Sequence, residues 1–132
     1  MDRLLLDTCA LLWLANGELM ANAARQAIAA SERHVSPITA WEIANLVRKH
    51  RIALTMPVGG WIKQAFDAID ARQPELTLAI LIGSCELPGT PPGDPADRII
   101  IATAREHRLT VVTRDGAILA YAQAGHVKAM RC

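Results

Sequence analysis

Short apolar runs alternate with helix-forming segments along most of this chain, and this alternation is the feature that most constrains its fold. Four runs have the length of strands: LLL from Leu4, HVSPI from His34, LTVVT from Leu109 and HVKAM from His126. A helix-like segment follows each of the first three. Strands that alternate with helices predict an α/β domain in which a central, mainly parallel β-sheet is flanked by α-helices.

Helices are predicted where good helix formers, or apolar residues at helical spacing, follow these runs. The predicted helical segments are residues 8–15, residues 20–30, TAWEIANLVRKH from Thr39, PVGGWIKQAFDAIDARQ from Pro57, DPADRIIIATAREH from Asp94 and DGAILAYAQAG from Asp115. The segment LPGTPPGDP, which begins at Leu87, is rich in proline and glycine and is predicted to be a loop. With 132 residues the chain fits one domain, and we assign residues 1–132 to it.

Bulk composition argues against several classes of function. The apolar runs are much shorter than the roughly 20 residues that span a bilayer, so we expect no membrane anchor and a cytoplasmic protein. Cys9, Cys85 and Cys132 are too scattered to suggest a disulfide framework or a thiolate zinc site. A net charge of +1 does not indicate nucleic-acid binding, so any such binding must come from local clusters such as RKHR at 48–51. With one Phe and one Tyr, a base-stacking platform of the kind found in single-strand-binding proteins is not expected.

Four acids lie where predicted strands end or predicted helices begin. Asp7 directly follows the run LLL, and Asp115 comes two residues after LTVVT. Glu42 and Asp97 are expected in the first turns of the helices that follow HVSPI and the proline-rich loop. The carboxyl ends of parallel strands meet at one edge of a sheet, where the functional crevice of such folds lies. The four acids are therefore expected to surround one pocket.

Each acid also has a purely structural explanation. Asp7 and Asp115 could cap the helices that follow them. Thr39 and Glu42 fit a capping box, and Asp94, followed by a proline, fits an N-cap. Taken singly, each carboxylate is therefore better explained by helix capping than by catalysis.

Several caps gathered at one edge would repel each other unless a cation offset their charge. Mg²⁺ and Mn²⁺ suit carboxylate and water ligands, and the absence of imidazoles and thiolates from these junctions argues against zinc. A metal held there would lower the pKa of a bound water and orient it towards a phosphodiester. The residues alone thus predict a metal-dependent phosphodiesterase.

The motifs in their order resemble those of PIN-domain ribonucleases and, within them, of VapC-type toxins from bacterial type II toxin–antitoxin pairs. The resemblance extends over nearly the whole chain and rests on LLLDTCALLWL, VSPITAWEIA, DPADRIIIATA and TVVTRD. It implies that a catalytic, metal-binding quartet is formed by Asp7, Glu42, Asp97 and Asp115, supported by Thr113 and Asp94. It leaves Arg98 either to contact phosphate or to pair with an acid. The position of Arg114 beside Asp115 makes it a candidate RNA contact.

The resemblance also implies what this protein acts on and binds. It implies RNA cleavage by water activated with Mg²⁺ or Mn²⁺, leaving a 5′-phosphate and a 3′-hydroxyl, together with a cognate VapB-like antitoxin and a homodimer. The chain departs from the related pattern at three positions, which usually carry histidine, a bulky aromatic and lysine; here they are Pro92, Ala96 and Leu46. These departures concern substrate contacts and leave the acidic quartet intact.

Two rival interpretations come from different classes. An aspartyl-phosphate phosphatase also begins with an acid after an apolar strand, but its chemistry generally needs a second acid two residues later, where this chain has Cys9. A non-catalytic RNA-binding or regulatory module with the same fold would be favoured if one of the four acids were missing. All four are present, so the ribonuclease is the preferred interpretation.

Overall fold

A four-stranded parallel sheet forms the centre of the molecule. The computed structural model describes residues 2–18 and 20–132. Within them the strands are β1 Arg3–Leu6, β2 Glu32–Val35, β3 Thr110–Thr113 and β4 Lys128–Arg131. Their order across the sheet is β2-β1-β3-β4, and every neighbouring pair is parallel. The prediction of an α/β fold with a parallel central sheet is confirmed.

Seven helices connect these strands in the described part of the chain. They are α1 Thr8–Ala15, α2 Asn22–Ala30, α3 Pro37–Arg48, α4 Val58–Ala68, α5 Leu78–Cys85, α6 Pro95–His107 and α7 Gly116–Gln123. None of these described helices has both the length and the apolar character needed to cross a membrane.

Helix α5 is the element that sequence reasoning missed. It is short and almost wholly apolar, so it lacks the alternation of polar and apolar faces from which helices are predicted. The hydroxyl of Thr77 caps it by accepting a hydrogen bond from the Ile80 amide at 3.2 Å. The helix packs mainly against α6.

The sheet is buried on both faces, as the run of leucines in β1 requires. Leu4 and Leu6 belong to one apolar cluster with residues of α1, α2 and α4. Leu5 points to the opposite face, into a second cluster with Ile100 of α6 and Ile118 of α7. Because both faces are covered, the carboxyl ends of the strands are where polar side chains reach solvent.

Helix α3 begins earlier than predicted. Pro37 occupies its first turn and Ser36 is the N-cap, whose hydroxyl accepts a hydrogen bond from the Ile38 amide at 3.1 Å. The predicted capping box of Thr39 and Glu42 is therefore wrong, as is the position of Glu42 in the first turn. Glu42 lies in the second turn, so helix capping does not account for its carboxylate.

Candidate active site

Asp7 is held at the point where β1 becomes α1. It is the N-cap of α1, and its Oδ1 accepts a hydrogen bond from the Ala10 amide at 2.8 Å. Its Oδ2 accepts a hydrogen bond from the Thr113 hydroxyl at 2.5 Å. Only 5% of its surface is exposed, and burial raises its pKa against the lowering effect of these two hydrogen bonds. The carboxylate is thus fixed at the edge of the core.

Thr113 joins two acids at the end of β3. Its buried hydroxyl donates to Asp7 and accepts a hydrogen bond from the Asp115 amide at 2.9 Å. Asp115 is in turn the N-cap of α7, where its Oδ2 accepts from the Ile118 amide at 2.9 Å. The carboxyl ends of β1 and β3 therefore share one hydrogen-bonded network.

The start of α6 carries two further acids. Asp94 is the N-cap, and its Oδ1 accepts a hydrogen bond from the Asp97 amide at 3.0 Å, as its sequence pattern predicts. Asp97 lies in the first turn, as predicted, and is half-buried. Capping thus uses one oxygen of Asp94, whereas the carboxylate of Asp97 caps nothing.

Glu42 reaches the site from α3 and is oriented by residues that sequence reasoning missed. The Thr8 hydroxyl donates to Glu42 Oε1, and Thr8 Oγ1 is also hydrogen-bonded to Thr39 Oγ1 at 3.1 Å. Burial raises the pKa of Glu42 against the effect of the Thr8 hydrogen bond, and the charges of Asp94 and Asp7 raise it further. The available signal was the position of Thr8 beside Asp7 in the motif DT.

The electrostatics of Asp97 show how closely the acids are gathered. Its pKa rises to about 7, first through burial and then through repulsion by four other carboxylates, those of Asp94, Asp115, Glu42 and Asp7. No cation is among the neighbours that shift the pKa of Asp97, Asp7 or Glu42. The structure therefore brings the predicted quartet into one region of concentrated negative charge.

A thiol also lies beside these acids, contrary to the prediction that the junctions lack one. Cys9 is exposed on α1 and is a free thiol. Although the residue is exposed, its sulfur is partly buried, and this burial is the largest cause of its raised pKa. The charges of four acids raise the pKa further, to about 11: Asp7, Glu42, Asp97 and Asp115. The thiol is accordingly protonated at neutral pH, so it supplies neither a nucleophile nor a thiolate ligand.

The donor set fits a hard divalent cation rather than a soft one. The groups that face each other are carboxylate oxygens, which are the ligands that Mg²⁺ and Mn²⁺ prefer, and their mutual repulsion favours a bound cation. In residues 2–18 and 20–132, no three acidic, histidine or cysteine side chains converge tightly enough, as they stand, to hold an ion together.

The two predicted arginines occupy different environments. Arg98 donates hydrogen bonds to the carbonyls of Ser84 at 2.9 Å and Pro92 at 3.2 Å, so it ties the end of α5 and the proline-rich loop to α6. The alternative in which Arg98 pairs with an acid is wrong, because its bonds go to carbonyls. Arg114 stacks on the ring of Trp13, with Cζ 3.8 Å from the ring centroid, and Nε donates to the Cys132 carbonyl at 3.1 Å.

Comparisons with known proteins agree with this geometry. The chain matches the PIN domain over residues 4–124. It is 39% identical over 117 residues to Ribonuclease VapC22 from Mycobacterium tuberculosis (strain ATCC 25618 / H37Rv), an alignment that covers 87% of this chain and 88% of the relative.

Solved structures with a similar fold come from toxin–antitoxin complexes. A chain of VapBC2 from Rickettsia felis, solved bound to a DNA fragment from their promoter, has a TM-score of 0.69 at 15% identity and 98% coverage of both chains. A chain of a toxin–antitoxin complex from Klebsiella pneumoniae has a TM-score of 0.57 at 25% identity, covering 85% of this chain and 86% of that one. The chain belongs to the PIN-domain family and, within it, to the VapC-type ribonucleases.

Proposed function

We propose that this chain, as a single nuclease domain over residues 1–132, is a Mg²⁺- or Mn²⁺-dependent ribonuclease and the toxin of a toxin–antitoxin pair. The observation that carries the proposal is the cluster of carboxylates at the carboxyl end of the sheet, where the pKa of Asp97 reaches about 7. A carboxyl group whose pKa is raised this far is typical of a functional site rather than of a helix cap. Catalysis is assigned to Asp7, Glu42, Asp97 and Asp115.

A divalent cation at these carboxylates would supply an activated water and offset negative charge on the phosphate. Asp7 is the anchor of the set, since both of its oxygens accept hydrogen bonds and each retains a further lone pair for a ligand. Thr8 keeps the carboxylate of Glu42 turned towards the site. Water would add to phosphorus as the bond to the 3′ oxygen breaks, which leaves a 5′-phosphate and a 3′-hydroxyl.

Cleavage of a mixed RNA pool, containing tRNA and ribosomal RNA, tests the proposal. We expect wild-type protein to cut RNA with Mg²⁺ or Mn²⁺ but not with EDTA, and Asp97→Asn to lose at least about 100-fold of the rate, because a ligand is lost. Asp67→Asn is the matched control, since Asp67 is exposed on α4 and its carboxylate forms an exposed ion pair with Lys63. Binding of RNA without cleavage by folded wild-type protein would instead favour the non-catalytic module.

We also propose a VapB-like antitoxin as a partner, which the likeness to chains from toxin–antitoxin complexes supports. Purification of the chain with and without a candidate antitoxin provides the test. The complex should cut RNA much more slowly than the free toxin, and full activity of a stable complex would contradict an inhibitory partner.

A homodimer is the remaining proposed assembly, and the exposed face of α5 supports it. Leu78 is 77% exposed and Ile82 is 58% exposed, and one helical turn places them side by side with Leu81. Exposed aliphatic patches of this kind are typical of protein interfaces. Leu78→Glu with Ile82→Glu should give a monomer in sedimentation experiments, whereas Gln64→Glu, at an exposed position of α4, should not. A monomeric wild type would contradict the dimer.

A further inference from the structure

A cleft of about 250 Å³ lies directly beside the acidic site. Its walls come from α3 and from the start of α6. Glu42 and Asp94 belong to the acidic cluster and also line this cleft. The cleft therefore adjoins the place where the carboxylates would receive a phosphate. The remaining side chains of its wall indicate what part of that chain it would hold.

Trp41 supplies an aromatic surface to this cleft. It precedes Glu42 on α3 and is 60% exposed, whereas Trp61 packs against the core and Trp13 is covered by Arg114. Tryptophan is enriched at binding interfaces because its ring combines a large apolar face with a polar N–H group. One such ring suffices to stack a single base, although the chain lacks the residues for an extended platform.

Asn45 lies one turn further along α3 and lines the same cleft. Its Oδ1 accepts hydrogen bonds from Arg48 Nε at 3.2 Å and Nη2 at 3.0 Å. Since arginine only donates, these bonds fix the orientation of the amide and leave its NH₂ group to donate elsewhere. The cleft therefore contains an oriented donor next to an aromatic ring.

Two cations complete the wall away from the acids. Lys49 is the C-cap of α3 and Arg51 lies two residues further on, and both line the cleft. Neither forms an ion pair with an acid among the described residues. Positive charges here would offset the repulsion that RNA meets at the carboxylates, and they are suited to phosphate contacts.

We propose that this cleft is a nucleotide subsite of the RNA substrate, in which a base next to the cleaved phosphate stacks on Trp41 and accepts a hydrogen bond from Asn45, while Lys49 and Arg51 contact a flanking phosphate. The inference rests on the proposed ribonuclease function and adds to it the residues that select a base. Stacking of an unpaired base on an aromatic ring is the usual mode of single-strand recognition.

The chemistry of the cleft favours a nucleotide over a protein partner. Its wall combines one aromatic ring with an amide and charged groups, whereas the face of α5 is aliphatic. The core of a protein interface is usually depleted of charged residues. A protein occupant is accordingly the competing outcome of the tests below.

Tryptophan fluorescence tests the stacking directly. The protein is Asp97→Asn, which binds without cutting, and the probes are four homopolymeric RNA decanucleotides. We expect at least one RNA to quench the emission, and the quenching to disappear when Trp41→Phe is added but to persist when Trp61→Phe is added instead. Quenching that survives Trp41→Phe, or that none of the four RNAs produces, would overturn the subsite.

Steady-state cleavage provides a second readout. Trp41→Ala should raise KM by about 5- to 100-fold, in line with the usual contribution of one base–aromatic stack, and change kcat by less than about threefold. Trp41→Phe should restore KM to within about threefold of wild type because it keeps an aromatic face. An unchanged KM in Trp41→Ala would overturn the subsite. A raised KM accompanied by loss of the dimer in sedimentation would assign Trp41 to a protein interface instead.

These results separate the two proposals. If wild-type protein cuts RNA and Trp41→Ala has an unchanged KM, the subsite fails and the ribonuclease remains. If wild-type protein cuts no RNA, the proposed function fails, and the fluorescence experiment alone decides whether the cleft binds a nucleotide.

Discussion

Carboxylates at the two ends of the central sheet lie in opposite electrostatic environments. At the amino end of β2, Glu32 Oε1 lies 3.5 Å from Arg3 Nε, 3.5 Å from Arg72 Nη1 and 3.1 Å from His34 Nε2. At the carboxyl ends of β1 and β3, burial together with like charge raises the pKa values of Asp7, Glu42 and Asp97. The carboxylate at the amino end is thus paired with cations, whereas the groups that shift the pKa of these three acids include acids and no cation.

This difference separates a structural arrangement from a functional one. A carboxylate surrounded by cations needs no counter-ion from outside the chain, so the stability of the fold alone explains Glu32. Carboxylates gathered without cations destabilise the folded chain, and their arrangement is understandable if a bound cation supplies the missing positive charge. The predictions below test this contrast from the largest expected effect to the smallest.

Among these substitutions, Thr113→Val should have the largest effect on the stability of the acidic end of the sheet. The residue is fully buried, and its hydroxyl serves both Asp7 and the amide of Asp115. Loss of a hydrogen bond to a charged group and of the acceptor for the partly buried Asp115 amide should lower the free energy of unfolding by about 2 kcal/mol. Because Asp7 also loses its orientation, cleavage should fall by about 10- to 100-fold.

Thr113→Ser is the matched control, since it keeps the hydroxyl and removes only a methyl group. It should cost about 1 kcal/mol and leave cleavage within about threefold of wild type. Chemical denaturation and the RNA assay measure the two quantities. Equal loss of activity in the valine and serine variants would show that packing, rather than the hydrogen bond, is what matters at this position.

Asp97→Asn should stabilise the metal-free protein at high pH. The pKa of this carboxyl is raised from 3.8 to about 7, so the folded chain holds its proton more tightly than the unfolded chain. The resulting stability is complete below pH 3.8 and is lost as the pH rises through about 7. With an allowance for solvent screening of a half-buried group, we expect Asn to raise Tm by about 3–6 °C at pH 8.

The same substitution should have a smaller effect on Tm at pH 4.5, where Asp97 of the folded wild type is protonated. Thermal unfolding in EDTA at the two pH values measures the difference between the variant and the wild type. A lower Tm for Asp97→Asn at pH 8 would mean that the carboxylate stabilises its helix more than its neighbours repel it.

Glu32→Gln should have the smallest effect on stability, and it should lower Tm where Asp97→Asn raises it. Loss of this charge leaves Arg3 and Arg72 without their partner, but both are well exposed, so the cost should be about 0.5–1 kcal/mol. Salt at about 1 M should reduce the difference, and RNA cleavage should stay within about twofold of wild type. A rise in Tm on this substitution would remove the contrast between the two ends.

The sequence allowed much of the acidic end to be predicted, because its features are local. An acid after a buried strand predicts the N-caps at Asp7 and Asp115, and an acid before a proline predicts the N-cap at Asp94; the structure contains all three. Parallel strands then bring the first two together without further information.

The errors arose where contacts join distant parts of the chain or where the local signal was ambiguous. The sequence pattern predicts Thr39 as the cap of α3, but Pro37 occupies the first helical position and makes Ser36 the N-cap. The hydrogen bond from Thr8 to Glu42 joins residues 34 positions apart, so it depends on the packing of α1 against α3. Helix α5 had no periodicity to reveal it, since it is apolar on nearly all sides.

The central claim is that the acidic end of the sheet lacks a positive charge that a divalent cation supplies. Thermal unfolding of EDTA-treated protein, titrated with MgCl₂ or MnCl₂ at pH 8, tests it most directly. We predict that the Tm of wild type rises steadily with the logarithm of cation concentration, and that the Tm of Asp97→Asn rises much less. A wild-type Tm that does not respond to either cation, or an equal response in the variant, would contradict the claim.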